Sequence, residues 1–293
     1  MTSTTEEEYP LDRSPLGSSR LYTQHFLWQR LIGHLLHPDI PIQENMKIAD
    51  IACGTGIWLL DLAQQLSKSN TPAQLDGFDI STAQYPPSEL LPPNLTLQTL
   101  DIFKPIPHAW RGQYDVIHIA LLCLVIRDGD PRSVLDNLLT LLKPGGYIQW
   151  KEVDFSMMHI TSYNPGISTC ELSKLKQWIY EVPLKKYPDF DWIRHLSTIF
   201  HERDLTILSE QIVIPEAEIT YAWNWMHMDG IQELITVHVN ANANIAAGGS
   251  REREGERERE LLELHRRAKE EVRGGACLVM ALVNVVGRKD WFG

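Results

Sequence analysis

The sequence predicts a doubly wound α/β fold, in which helices cover both faces of a mostly parallel sheet. Strand-like apolar runs and amphipathic helical segments alternate from Leu21 to about residue 214, which is the order that such a fold requires. A glycine-containing turn also joins the first of these runs directly to a helical segment. With 293 residues, the chain is long enough for one large domain of this kind.

Seven segments are predicted to be strands, because they are short, apolar and bounded by turn residues. They are Met46–Ile51, Gln74–Ile80, Leu95–Leu100, Tyr114–Ala120, Gly146–Val153, Asp204–Ile214 and Cys277–Gly287. Between the fourth and fifth strands, Asp130 and Pro131 are typical of a helix start, and the stretch "LKPGG" is typical of a helix end.

Four further helical regions are predicted. An N-terminal helix spans Arg20–Leu36 and carries one apolar stripe. Beyond residue 154 the alternation loosens, and residues 155–203 and 215–247 are predicted to be helical insertions that cover a substrate. Residues 247–258 are predicted to be a loose charged loop, because like charges lie four residues apart and Gly255 weakens a helix; an ordered helix should follow from about 259 to 273.

Composition excludes several classes of function. The net charge of −11 argues against a nucleic-acid partner, since phosphate binding needs clustered Lys and Arg. The start "MTSTTEEEYP" lacks the apolar core of a secretory signal, and no apolar run is long enough for a membrane span. The four cysteines are widely spaced, without metal-ligand or disulfide patterns. We therefore expect a cytoplasmic protein with no metal and no membrane partner.

The glycine turn lies in "IADIACGTGIWLLDLA", residues 48–63. A dinucleotide fingerprint needs a third glycine where this chain has Leu59, so a pyrophosphate site is disfavoured. Three aspartates lie at the ends of predicted strands. Asp50 precedes the turn, Asp79 could accept hydrogen bonds from both ribose hydroxyls, and Asp101 could meet an adenine amino group. Each of the last two could instead be a cap or turn residue.

Five motifs, taken in order, resemble those of class I S-adenosylmethionine-dependent methyltransferases: "DIACGTG", "GFDIS", "TLDIF", "YDVIHIA" and "LLKPGGYIQW". The segments "RLYTQH" and "LLHP" (residues 20–25 and 35–38) are similar to fungal secondary-metabolism methyltransferases, including LaeA-type proteins and the N-methyltransferases of gliotoxin-like pathways. Two departures exist. Ala52 occupies the first small position of the family's acidic–glycine motif, where the family has glycine. Ala120 lies at a position where LaeA-type relatives often have arginine.

The resemblance implies a seven-stranded sheet of order 3-2-1-4-5-7-6 with the last strand antiparallel. It also implies a single domain with a lid at 1–40, a cofactor-binding core at 41–154, and S-adenosylmethionine as the cofactor. The residues expected to bind that cofactor are Arg20, Gln24, Asp50, Ala52, Cys53, Gly54, Gly56, Asp79, Ile80, Asp101, Ile102 and Ala120.

Methyl transfer requires a base only when the nucleophile must first lose a proton. Glu152 is the preferred candidate because it lies at the end of a predicted strand, with His118, Asp154 and His159 as others. On the N-terminal helix, Arg20 is expected to face the cofactor carboxylate, with His25 as a further catalytic candidate. The alternative is that these polar groups bond to backbone at the sheet end.

Aromatic and methionine side chains are candidates for the substrate wall. Trp28 lies on the N-terminal helix, and Trp223, Met226 and His227 lie in "YAWNWMHMD". For this second group, simple packing against the sheet is the alternative.

Three functions are consistent with these patterns. The first is methyl transfer to N, O or S of a small specialised metabolite. The second is a LaeA-like regulatory or scaffold protein that retains the methyltransferase fold. The third, a nicotinamide-dependent oxidoreductase, is opposed by Leu59. The sequence leaves open the substrate, the atom methylated and the oligomeric state.

Overall fold

The computed structural model describes residues 11, 13–126, 128–187, 189–245 and 251–290. Its centre is a seven-stranded sheet of order β3-β2-β1-β4-β5-β7-β6. The strands are β1 Lys47–Ile51, β2 Gln74–Asp79, β3 Leu95–Thr99, β4 Tyr114–Ala120, β5 Leu142–Ser162, β6 Leu205–Val213 and β7 Ala276–Lys289. Only β7 runs against its neighbours, pairing antiparallel with both β5 and β6. The predicted fold class, strand set and strand order are therefore confirmed.

Seven helices pack around this sheet or extend from it within the described residues. They are α1 Pro15–Ile32, α2 Ile57–Lys68, α3 Arg132–Leu139, α4 Cys170–Glu181, α5 Leu196–His201, α6 Ala217–Ile245 and α7 Arg251–Arg273. In the described part of the chain, no helix is long and apolar enough to cross a membrane.

Helix α1 begins and ends earlier than predicted. Ser14 caps its start by accepting a hydrogen bond from the Gly17 amide at 3.3 Å, and Pro15 occupies the first helical position. Gly33 ends the helix in the left-handed conformation, with φ at 87°. The predicted boundary at Leu36 is therefore wrong, because the chain turns at Gly33 while the apolar spacing continues.

Both faces of the sheet are buried. Ile48 of β1 and Val116 of β4 belong to one apolar cluster, whereas the next residues, Ala49 and Ile117, belong to another. Successive side chains of a strand point to opposite faces, so this alternation shows that helices cover the sheet on both sides.

Strand β5 is longer than predicted. It continues to Ser162, so residues 155–162, which were assigned to an insertion, belong to the sheet. The extension pairs His159–Ser162 with Ala276–Val279 of β7, after an irregularity that follows Asp154. The reason is the length of β7, which offers backbone partners well beyond the point where β4 ends.

The charged segment is also more ordered than predicted. Residues 247–250 lie outside the described residues, but α7 is already helical from Arg251, so the loose stretch is wrong from that residue onward. Two effects favour the helix. The segment from His265 to Val272 packs into the core and supplies a nucleus, after which each added turn costs little. Residues three apart, such as Glu256 and Arg259, also carry opposite charges, which offsets the like charges four apart.

Candidate active site

A cleft opens at the edge of the sheet where β1, β2, β3 and β4 end, and β5 contributes Lys151 to it from the middle of the strand; α1 lies over the cleft. Its empty space, including the open mouth, is about 1410 Å³. Open sheets of this type form such a crevice because the strand order reverses between β1 and β4, so the connections that follow these two adjacent strands lead in opposite directions. The walls come from α1, the glycine turn, the ends of β2 and β4, and one side chain of β5.

The glycine turn forms the near wall. Ala52, Gly54 and Gly56 all have left-handed backbones, with φ of 56°, 53° and 72°. A Cβ at Gly54 would lie 3.2 Å from Leu21 of α1, so glycine allows the helix to approach closely. Ala52, Cys53 and Gly54 line the cleft, whereas Gly56 lies below it as the cap of α2.

Asp79 lies at the end of β2 and faces the cleft, as does Ile80. Its carboxylate accepts hydrogen bonds from the amides of Gly54, at 2.9 Å, and Ser81, at 3.2 Å. Burial raises the pKa of Asp79, although these backbone bonds oppose the shift. The carboxylate thus ties β2 to the glycine turn and keeps further lone pairs for a ligand.

The third predicted acid, Asp101, lines the cleft together with Ile102. One carboxylate oxygen accepts a hydrogen bond from the Phe103 amide at 3.0 Å, and the other lies 3.1 Å from the Lys104 ammonium. Ala120, at the end of β4, completes this side of the cleft. The residues predicted at the strand ends therefore converge in one place.

Helix α1 contributes Gln24, His25 and Trp28 to the cleft. The Nε2 atom of His25 lies 3.0 Å from a carboxylate oxygen of Asp61 on α2. Burial lowers the pKa of His25, while the Asp61 carboxylate opposes that shift. The Trp28 indole is buried, and its Nε1 has no hydrogen-bond partner among the described residues. These three side chains lie where the sequence predicts.

Arg20 does not face the cleft. Its guanidinium bonds both carboxylate oxygens of Glu233 on α6, at 2.6 and 3.2 Å, and donates to Gln24 Oε1 at 3.0 Å. Both charged side chains are almost fully buried. The predicted contact between Arg20 and a cofactor carboxylate is therefore wrong. The carboxylate that takes this guanidinium lies 213 residues away in the chain, so no local pattern reveals it.

Glu152 does not face the cleft either, and its prediction as a catalytic base is wrong. Its side chain is fully buried and accepts hydrogen bonds from the amides of Leu122 and Cys123 and from the Trp150 indole. Burial raises its pKa to about 7 despite these three donors. Glu152 is a positioning residue, because it holds the loop after β4 that forms a cleft wall.

Trp223 and Met226 are buried in the core. These two residues and His227 all lie outside the cleft lining. His227 lies edge-on to Trp223, with 4.9 Å between ring centroids, and burial near Arg20 lowers its pKa to about 3. The prediction of a substrate wall in this segment is wrong, and the alternative of packing is correct. The reason is that α6 directs this face toward α1 and β7.

The structure adds a buried cluster that the sequence only partly indicated. Asp50 Oδ1 lies 2.6 Å from His118 Nδ1, and the Trp58 indole stacks on the His118 ring at 3.8 Å. The Lys151 ammonium lies 6.0 Å from the centroid of the Trp58 ring. His118 is among the candidates from the sequence, whereas Lys151 is not. The position of Lys151 depends on strand register, since it pairs with Ala120 at the carboxyl end of β4, and local spacing does not show that register.

Comparison with known proteins is consistent with this geometry. A profile described as a methyltransferase domain matches residues 23–210. The methyltransferase grgD of Penicillium sp is 39% identical over 154 residues, covering 51% of this chain and 53% of the relative. The N-methyltransferase tcpN of Claviceps purpurea is 32% identical over 200 residues, covering 65% of this chain and 69% of the relative. The matched region thus spans about half the length of the first relative.

A solved structure shares the fold. Phosphoethanolamine N-methyltransferase 2 of Haemonchus contortus, in complex with phosphomonomethylethanolamine and S-adenosylhomocysteine, superposes with a TM-score of 0.51 at 10% identity, covering 99% of this chain and 61% of that chain. The profile match extends from α1 through the cleft-forming strands to β6. The chain therefore belongs to the methyltransferase-domain family, among the class I proteins whose cofactor is S-adenosylmethionine.

Proposed function

We propose that this protein transfers a methyl group from S-adenosylmethionine to N, O or S of a small specialised metabolite. The observation that carries this proposal is that one cleft joins two different environments. The glycine turn and Asp79 form one end, and the other end is lined by ring and polar side chains of α1, β4 and β5. The fungal relatives grgD, a methyltransferase, and tcpN, an N-methyltransferase, support the same class of reaction.

The residues present fit a cofactor that has a ribose and an adenine but no phosphate. Asp79 would accept hydrogen bonds from the ribose hydroxyls, and Asp101 would meet the adenine. Among the described residues that line the cleft, Arg13 and Lys151 are the only arginine and lysine, and neither belongs to the glycine turn.

When bound, the cofactor supplies a methyl group on a positively charged sulfonium. The chain's own part is to hold the nucleophile in line at about 3 Å and to exclude water. We assign the role of covering the cleft to α1. Leu21 of this helix packs close to Gly54 of the glycine turn, and Trp28 of the same helix is buried in the cleft wall. This assignment makes α1 the lid of the site.

His25 is assigned as the proton acceptor for nucleophiles that must be deprotonated. Because burial lowers its pKa, the imidazole is mainly neutral near pH 7. With Nε2–H donated to the Asp61 carboxylate, Nδ1 is the atom that can accept a proton. Asp61 would then orient the ring and stabilise the imidazolium that forms.

Calorimetry and a turnover assay test the proposal. Wild-type protein should bind S-adenosylmethionine and S-adenosylhomocysteine but not NAD, and should methylate members of a panel of specialised metabolites. Asp79→Ala should weaken S-adenosylhomocysteine binding by about 1.5–3 kcal/mol, the typical value for lost hydrogen bonds to a charged group. Asp79→Asn keeps an acceptor for the Gly54 amide, and Asp39→Ala removes an exposed carboxylate as a control.

Unchanged affinity in Asp79→Ala would remove this residue from the site. Binding of NAD in place of S-adenosylhomocysteine would support the oxidoreductase alternative. Cofactor binding without turnover of any metabolite would favour the regulatory or scaffold alternative.

A further inference from the structure

Lys151 is a buried cation that faces the substrate end of the cleft. It lies in β5 beside Ala120, its residue is 5% exposed, and it lines the cleft. Its carbonyl accepts a hydrogen bond from the Leu121 amide at 3.0 Å, which fixes the backbone at this point. Among the described residues, no carboxylate forms an ion pair with its ammonium. The ammonium lies over the Trp58 ring, 6.0 Å from the ring centroid.

Burying an ammonium group without a hydrogen-bonding partner is costly. Burial lowers the pKa of Lys151 to about 8, although the field of the Asp50 carboxyl raises it, so the amine remains mostly protonated at pH 7. The side chain therefore brings a positive charge, with three donor positions, into an enclosed space.

The groups around Lys151 do not neutralise this charge. His25 of α1, His34 just after α1, and His118 of β4 all have pKa values lowered by burial, and the nearby Lys151 charge adds to each shift. The Asp50 carboxyl is the acidic group in this cluster, but its Oδ1 is already bonded to His118 and burial raises its pKa. An incoming anion would thus meet a positive potential, whereas a protonated amine would be repelled.

We propose that Lys151 binds an anionic oxygen, a carboxylate or an acidic hydroxyl, of a ligand in this cleft; this extends the proposed function by defining a substrate class. The metabolite is the favoured source of this oxygen. In the strand order β2-β1-β4-β5, Lys151 on β5 is three strands away from Asp79 on β2, a distance of about 14 Å across the sheet. Lys151 is therefore far from the proposed ribose-binding end of the cleft. The cofactor carboxylate is the other source, and the experiment distinguishes the two.

The first arm measures cofactor ligands. S-adenosylhomocysteine and 5′-methylthioadenosine, which lacks the amino-acid part, are titrated into wild type, Lys151→Met and Lys151→Arg. Lys68→Met removes an exposed lysine at the end of α2 as the matched control. If Lys151 binds the metabolite, both affinities stay within twofold of wild type. If it binds the cofactor carboxylate, Lys151→Met weakens S-adenosylhomocysteine at least tenfold and leaves 5′-methylthioadenosine unchanged.

The second arm uses protein saturated with S-adenosylhomocysteine and follows pairs of aromatic carboxylic acids and their primary amides by saturation-transfer NMR. Wild type, Lys151→Arg and Lys68→Met should bind the acids at least tenfold more tightly than the amides. Lys151→Met should lose this preference. In wild type the preference should also decrease as the pH rises through about 8, as the ammonium loses its proton.

The proposal is overturned if Lys151→Met changes neither S-adenosylhomocysteine affinity nor the acid preference, or if wild type shows no acid preference and no carboxylate-dependent cofactor binding. Wild-type affinity for S-adenosylhomocysteine tests the proposed function separately. If it is absent, the acid–amide comparison on the free protein still tests Lys151.

Discussion

At the scale of single residues, burial competes with hydrogen bonding for control of protonation around the cleft. Glu152 has three hydrogen-bond donors, yet its pKa is raised to about 7, and the pKa of Lys151 is lowered to about 8. The pKa of Asp50 is raised as well. In each case the charged form loses more from leaving water than it gains from its neighbours. Glu152 and Lys151 therefore change charge near neutral pH.

Glu152 should make the stability of the protein depend on pH. Its pKa is raised on folding from 4.5 to about 7, so the folded state holds this proton more tightly than the unfolded state. The contribution to stability is present below pH 4.5 and is lost as the pH rises through 7. The shift corresponds to about 3 kcal/mol. In Glu152→Gln this contribution is absent.

Urea unfolding from pH 4.5 to 8 measures this effect. The difference in unfolding free energy between wild type and Glu152→Gln should move by about 3 kcal/mol in favour of the variant as the pH rises. Glu210→Gln, which alters an exposed carboxylate of β6, serves as the control. A flat difference for Glu152→Gln would contradict the buried, proton-binding role.

His25→Asn should lower kcat by about 10²–10⁴-fold for a substrate that must be deprotonated, because the proton acceptor is removed. The rise of the rate with pH that reports the His25 imidazole should disappear as well. His37→Asn, which alters a histidine outside the cleft, should retain both. The rate profile is measured from pH 5 to 9. An unchanged profile would show that His25 only packs in the lid.

At the scale of elements, one buried ion pair joins helix α1, the proposed lid, to α6. Arg20 and Glu233 are 5% and 2% exposed, and Arg20 also bonds Gln24, which lines the cleft. Glu233→Gln should lower the unfolding free energy by about 3–5 kcal/mol, because it leaves the guanidinium buried without its counter-charge. It should also raise the KM, because Arg20, the hydrogen-bond partner of Gln24, is no longer held in place by the Glu233 carboxylate.

The paired variant Arg20→Met with Glu233→Leu provides the control, and both are measured by urea unfolding and steady-state kinetics. Replacing the whole pair by apolar side chains is expected to restore most of the lost stability. If the double variant is as unstable as Glu233→Gln, packing and not charge dominates at this contact.

Alanine should have opposite effects on stability at two glycine positions, because their surroundings differ. Gly255 lies in α7, where an added Cβ would meet nothing within 4 Å, so Gly255→Ala should stabilise the protein by about 0.5–1 kcal/mol. Gly77 lies in β2, where the Cβ would lie 2.4 Å from Leu97 and 2.8 Å from Leu59, so Gly77→Ala should destabilise it by about 1–3 kcal/mol. Urea unfolding measures both. A neutral Gly255→Ala would contradict a stable helix at that residue.

At the scale of the whole molecule, ligand binding should couple the strand ends to the lid, since a single cleft touches both. S-adenosylhomocysteine at 100 times its Kd should raise the unfolding free energy by about 2.7 kcal/mol. Hydrogen exchange should then slow in the glycine turn and in α1, and NAD at the same concentration should change neither. Slowing confined to the strand ends would contradict the lid role of α1.

The sheet and the glycine-turn end of the cleft could be predicted from local patterns in the sequence. Strand identity depends on short apolar runs, and the glycine turn, Asp79 and Asp101 all lie next to such runs in the chain. In a parallel sheet, residues at the carboxyl ends of strands meet at one edge. Local sequence patterns were therefore sufficient to predict that these residues lie close together.

Which polar side chains face the cleft depends on contacts between distant parts of the chain. Both faces of β5 are buried, so periodicity could not show that Lys151 faces the cleft while Glu152 points away. The expected contact between Arg20 and the cofactor is wrong because the partner of Arg20, Glu233, lies on a helix 213 residues later in the chain. The orientation of a buried charged side chain such as Arg20 depends on the position of its counter-charge. When that counter-charge comes from a distant segment, the local spacing of residues does not reveal the contact.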